Sequence, residues 1–126
     1  MPYLYDDQNV FAKILRGEIP NQTVLETEHS LAFRDIVPQA PDHVLVIPKG
    51  PFVTQDHFAL EASDAEIVDF NRVVGRICAM LGVSPGAGGA GYRTISNAGA
   101  DAVQEVPHFH MHILAGRPLG RMLEKD

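Results

Sequence analysis

The chain has one cysteine, no tryptophan and no apolar run long enough to cross a bilayer. A lone Cys78 cannot build an internal disulfide framework and suits a reducing, cytoplasmic setting. A spanning helix needs about 20 consecutive apolar residues, and none occurs, so no membrane partner is expected. Met1 to Asp7 lacks the basic and apolar regions of a signal peptide. Positive charge is scarce too. Ten basic residues stand against 16 acidic ones, for a net charge of −6, and they are scattered along the chain. A sequence-independent grip on nucleic acid needs a concentrated basic face, so a small-molecule partner is expected instead. What remains is ordinary for a soluble domain: 126 residues, 45% hydrophobic and 21% charged. That is enough for a single domain, 1–126, to bury a core unaided.

Periodicity predicts five strands and two helices. Asp7 is placed to cap a short helix in which Val10, Phe11, Ile14 and Leu15 share a face, ended by Gly17 and Pro20. Thr23 to Glu26 and Leu31 to Asp35 read as short strands, and His43 to Ile47 as a third, strongly apolar one. Ser63 and Glu66 make a capping box for a long helix. Its stripe of Ile67, Phe70, Val73, Val74, Ile77, Cys78 and Leu81 ends at Gly82. Tyr92 to Ser96 and Val106 to Leu114 complete the strands. With no regular β-α-β alternation, the class is α+β with a five-stranded antiparallel sheet. Pro107 in the last strand implies unusual pairing there.

Three of the six histidines fall in His108-Phe109-His110-Met111-His112. If this segment is a strand, the imidazoles share one face and Phe109, Met111 and Ile113 the other, with successive histidines about 7 Å apart. Buried imidazoles each need a hydrogen-bond partner, so their face should open on a cleft where one phosphate can touch two of them. A neutral imidazole is a fair nucleophile near pH 7, its unperturbed pKa being about 6.5. An Nδ1–H bonded to a carbonyl would leave Nε2 free to attack phosphorus. Neighbouring imidazolium groups and backbone N–H groups would offset the charge that develops. Zinc is the competing reading, because His-x-His on a strand is good ligand geometry and the residues alone do not expose their outer partners. The phosphoryl chemistry itself requires neither metal nor cofactor.

His108-Phe109-His110-Met111-His112-Ile113-Leu114 resembles the signature of the histidine triad superfamily. The likeness to its nucleotide-binding branch extends through Asp6–Pro20, Leu31–Ile36, Pro38–Pro41, His43–Lys49, Gly91-Tyr92-Arg93, Asn97 and Gln104-Glu105-Val106. The resemblance implies His110 as nucleophile, His112 on the phosphate and leaving group, His108 as its support and His43 as a fourth histidine. It implies Asp35 on the ribose hydroxyls, Asn97 on the phosphate side, and an apolar base slot of Val10, Phe11, Ile19, Phe33 and Ile36. Arg34 and Gln104 join the substrate-binding set, and Glu105 shares the general-acid task with His112. The expected substrates are purine nucleoside monophosphate derivatives, above all 5′-phosphoramidates. The expected assembly is a homodimer that extends the sheet. A dinucleoside polyphosphate hydrolase and a nucleotide-sensing binding protein are the alternatives.

The chain departs from the family pattern at Ala102-Val103, where Gly-Gly is common, at Glu105, where animal members often carry serine, and at Gly50-Pro51-Phe52. Its C-terminal residues lack a tryptophan-bearing tail. Gly86 to Gly91 has no Gly-Lys-Ser/Thr ending and reads as a flexible connector. Asp35 also suits a plain turn. His29 and His57 are expected at the surface, and Cys78 in the core.

Overall fold

The computed structural model describes residues 3–124. Its elements are α1 (Val10–Leu15), β1 (Thr23–Glu26), β2 (Ser30–Arg34), β3 (Asp42–Pro48), α2 (Gln55–Glu61), α3 (Asp64–Leu81), β4 (Arg93–Ile95) and β5 (Met111–Ala115). All strand pairs are antiparallel, in the order β1-β2-β3-β5-β4.

Strand alternation divides the apolar residues between two faces. Ala32, Val44, Val46 and Ile113 pack against Phe70, Val73 and Ile77 of α3. Leu31, Phe33, Leu45 and Ile47 face the other way and pack with Phe11 of α1. Because β3 is covered on both sides, its residues 43–48 are all buried. The Ser63–Glu66 capping box forms, and Gly82 closes α3 in the left-handed conformation at φ 70°. Cys78 is buried in the core.

Several expectations fail for local physical reasons. Among the described residues there are three α-helices, not two. α2 is seven residues long, capped by Thr54, and buries only His57 and Phe58, too few for a 3.6-residue period to register. His57 is therefore not a surface residue; its Nδ1 accepts from Val53 N–H at 3.0 Å. His29 is half-buried, 3.4 Å from Glu28. Asn9, not Asp7, caps α1, accepting from Ala12 N–H at 2.9 Å. The glycine-rich segment is a bonded turn, with Gly89 N–H on Ser84 O and Gly91 N–H on Val83 O. A Cβ at Gly89 would lie 2.3 Å from the Val83 carbonyl carbon, so glycine is there for close approach.

The last strand starts at Met111 rather than Val106. Pro107 has no N–H to give a ladder, and β4, three residues long, pairs only with residues 112–114. His108 and His110 thus precede the strand, and the triad is not three alternate residues of one ladder.

Candidate active site

α1 is six residues long and cannot cover its whole face of the sheet. Beside it lies a cavity of about 530 Å³ between α1, the end of β2 and the 97–106 segment. Val10, Phe11, Ile19 and Phe33 form an apolar wall, with Ile14 and Leu45 beside them. Arg34, Asp35, Ile36, Asn97, Gln104, Glu105, His110 and His112 line the remainder. His43 and His108 do not reach the cavity wall. They lie behind it, 2% and 0% exposed.

The hydrogen-bond partners assign the tautomer of all four imidazoles. His110 Nδ1 lies 2.7 Å from the His108 carbonyl, which only accepts, so Nδ1 carries the proton. Its Nε2 keeps a lone pair. That nitrogen has no partner, and among the described residues no buried side-chain N or O is left unpartnered, so it opens to the cavity. The ring is held edge-on to Phe11, centroids 5.0 Å apart. His108 donates from Nε2 to Pro48 O at 2.8 Å and accepts at Nδ1 from the Tyr5 hydroxyl at 2.6 Å.

A second chain of bonds sets His112. Gln39 N–H donates to His43 Nδ1 at 3.1 Å, so the His43 proton sits on Nε2. That N–H donates to His112 Nδ1 at 2.8 Å. His112 is left with Nε2–H, a donor at the cavity wall. The rings of His110 and His112 are 5.1 Å apart. One imidazole therefore offers a lone pair and its neighbour a proton.

Burial lowers the pKa of all four. His108 and His112 fall to about 4; for His112 the neighbouring His110 and His43 add to the effect. His110 and His43 are also lowered by burial, against the opposing pull of carboxylates: Asp35 and Glu105 for His110, Asp35 for His43. The imidazolium helpers expected from sequence are therefore replaced at neutral pH by neutral N–H donors.

Asp35 plays the turn role and more. Oδ1 accepts from Val37 N–H at 2.8 Å, while Oδ2 lies 3.4 Å from His43 Nε2 at the cavity. Arg34 faces Asp42 at 3.9 Å. Gln104 is fully engaged with protein: Oε1 accepts from Gly99 N–H, and Nε2 donates to Val53 O and Val106 O. Its side chain holds the loop in shape at the cavity lining. Val103, where glycine is common in the family pattern, is held at φ 55° and is 71% exposed at the cavity rim. Sequence reasoning missed Tyr5, Gln39 and Leu45. Leu45 left a signal as an apolar alternate of β3, and Gln39 one only as part of the Pro38–Pro41 likeness.

Asp35, His43 and His112 bring one ligand atom each within 4.8 Å of one another. The donor set does not fit a cation. Binding at His43 Nε2 would move the proton to Nδ1, against the Gln39 N–H, whereas metal-bound imidazoles point their second nitrogen at an acceptor.

A family profile described as HIT domain matches residues 16–119. An uncharacterised HIT-like protein of Azospirillum brasilense is 58% identical, with 99% of each chain covered. The purine nucleoside phosphoramidase of Escherichia coli is 40% identical over 93% of this chain and 94% of its own. Among solved structures, a histidine triad nucleotide-binding protein from Candida albicans superposes with a TM-score of 0.75 at 30% identity, covering 94% of this chain and 86% of that one.

Proposed function

The chain belongs to the HIT domain family, and from that premise we propose that it hydrolyses nucleoside 5′-phosphoramidates, purine ones preferred, through a covalent nucleotidyl-His110 intermediate. The observation that carries this reading is the His110 tautomer. Its Nδ1–H is spent on the His108 carbonyl, so the nitrogen that opens to the cavity is a lone pair. In the first step Nε2 bonds to phosphorus, and the phosphorus–nitrogen bond to the leaving group breaks. The amine departs with the electron pair and takes up a proton drawn from solvent, relayed by the Glu105 carboxyl; neutral His112 offers its Nε2–H to the departing group as a hydrogen bond. In the second step water adds to phosphorus and gives up a proton to solvent, the phosphorus–imidazole bond breaks with its electron pair returning to His110 Nε2, and a nucleoside monophosphate leaves. Asp35 Oδ2 serves the ribose hydroxyls, and Val10, Phe11, Ile19, Phe33 and Ile36 hold the base. Asn97 faces the phosphate side.

The charge of the cavity favours an amine over a polyphosphate leaving group. Among the described residues Arg34 is its only basic lining residue, and Arg34 faces Asp42; Asp35 and Glu105 are the acidic ones. A homodimer that extends the sheet is supported by β4, an edge strand with Thr94 and Ile95 exposed. The lone buried Cys78 accords with work in the cytoplasm.

The test is a panel of adenylated substrates with amine, lysyl, sulfate and nucleotide leaving groups, combined with mass spectrometry after rapid mixing. Amine and lysyl compounds should turn over fastest, and an acid-sensitive adduct should map to His110. An adduct on another residue, or turnover abolished by chelation and restored by zinc, would overturn the mechanism.

A further inference from the structure

We propose that Tyr5 is a positioning residue for the nucleophile: its hydroxyl, docked on buried His108, holds the backbone carbonyl that orients His110. The inference rests on the nucleophilic reading of His110. Tyr5 stands ahead of residue 16, where the match to the family profile begins.

The need for such a tether follows from where β5 begins. His108 and His110 precede Met111, so no strand ladder fixes the His108 carbonyl. The segment is tied instead by His108 N–H on Val106 O at 2.9 Å and Phe109 N–H on Phe52 O at 2.7 Å. The third tie is the His108 ring, clamped between Pro48 O on one side and Tyr5 on the other. Since Pro48 O can only accept, Nε2 holds the proton, Nδ1 holds a lone pair, and Tyr5 must be the donor. Burial raises the Tyr5 pKa, which keeps the phenol protonated for that task. The two rings meet edge to face, centroids 5.6 Å apart.

The strap that carries Tyr5 has its own anchor. The Tyr3 hydroxyl donates to Asp56 Oδ2 at 2.6 Å, and its ring stacks on His57 with centroids 4.9 Å apart. Both tyrosines therefore fasten residues 3–5 across the α2 end and the triad. With the Tyr5 hydroxyl gone, His108 Nδ1 would be a buried acceptor with no donor, and an unpaired buried group gives its ring reason to move.

The experiment uses the full chain with Tyr5→Phe and, separately, a fluorinated tyrosine at position 5 alone, which is a stronger donor. Imidazole ¹⁵N resonances of His108 and His110 are read without substrate, and kcat and KM with adenosine 5′-phosphoramidate. Tyr5→Phe should move His108 Nδ1 towards an imine nitrogen without a hydrogen bond. It should lower kcat about tenfold, the effect of one lost hydrogen bond, with KM within about twofold. The fluorinated residue should move Nδ1 the opposite way and raise kcat above that of Tyr5→Phe. Unmoved nitrogens, or a loss of thermal stability with kcat intact, would overturn the proposal. Should Tyr5→Phe not fold, the fluorinated chain decides through Nδ1. Wild-type protein inert towards phosphoramidates would sink the functional reading, while the nitrogen shifts still decide whether Tyr5 sets His108.

Discussion

The two faces of the sheet arise from the same strands by the same alternation, yet one is a closed core and the other holds an open site. The difference lies in what covers them. α3 has 18 residues, about 27 Å of helix, and lays Phe70, Val73 and Ile77 against Ala32, Val44, Val46 and Ile113. α1 has six, about 9 Å, and covers the opposite face only near Leu31, Phe33, Leu45 and Ile47. The uncovered part is where His110 and His112 sit. A sheet face whose covering helix is too short becomes a cavity, and the polar groups at its floor must then be satisfied one by one. The imidazole bonds to Pro48 O, His108 O and Gln39 N do this.

The widest separation between the faces should come from a pair of truncations. His110→Ala should lower turnover by about 10⁴-fold or more, since only binding and charge stabilisation survive loss of a nucleophile. Its unfolding free energy should change far less than that of a core variant. Phe70→Ala should do the reverse, costing about 3–5 kcal/mol of stability while each folded molecule keeps its kcat. Kinetics and denaturant titration on both variants check the contrast. It collapses if His110→Ala unfolds the protein as readily as Phe70→Ala.

The histidine face should also respond to acid where the α3 face does not. His108 and His112 are held neutral down to about 4, whereas in the unfolded chain they protonate near 6.5. Between those values the unfolded state binds more protons, so stability rises with pH across the window. The contribution is present in full above about pH 6.5 and is lost as pH falls towards 4. For His108 it amounts to at most roughly 3 kcal/mol, the shift at about 1.36 kcal/mol per unit. Denaturant midpoints measured from pH 7 to pH 4 should fall accordingly. A flat profile would mean that these imidazoles take up protons freely.

A smaller effect separates the two jobs of Asp35. Asp35→Ala should raise KM for ribonucleotide substrates by about 10–100-fold, the range for charge-assisted hydrogen bonds, and leave 2′,3′-dideoxy analogues nearly unaffected. Asp35→Asn keeps an oxygen for Val37 N–H, so it preserves the turn while removing the charge. Equal losses on both substrate types would reduce Asp35 to a turn former.

How far the molecule was legible depended on how local each cause is. The stripe and capping box of α3 lie within one helix, and β2 and β3 announce themselves by composition. α2 went unread because two buried residues make no period. The start of β5 was misplaced because Phe109-His110-Met111 alternates like a strand, although Pro107 and the short β4 leave 106–110 without a ladder. His57 looked like a surface residue because its neighbours are polar; its burial comes from Tyr3 and Phe52, outside its own helix.

The same division runs through the site. By itself the sequence determined the antiparallel α+β class, the long helix and its caps, the histidine cluster and the likeness that assigns roles within it, because each rests on residues near one another in the chain. Which residues would share a cavity followed only in part. Gln104 lines the cavity as expected, but His43 and His108 sank behind the wall. Apart from His110, whose partner is the carbonyl two residues back, the protonation pattern was decided by tertiary structure. An imidazole's tautomer is set by whether its partner gives or accepts a proton. For His108 those partners are Pro48 O, 60 residues away, and the Tyr5 hydroxyl, 103 residues away. For His112 the partner is His43, 69 residues away and itself set by the Gln39 amide. No pattern of residue types records such pairings, because only the folded chain brings donor and acceptor within reach.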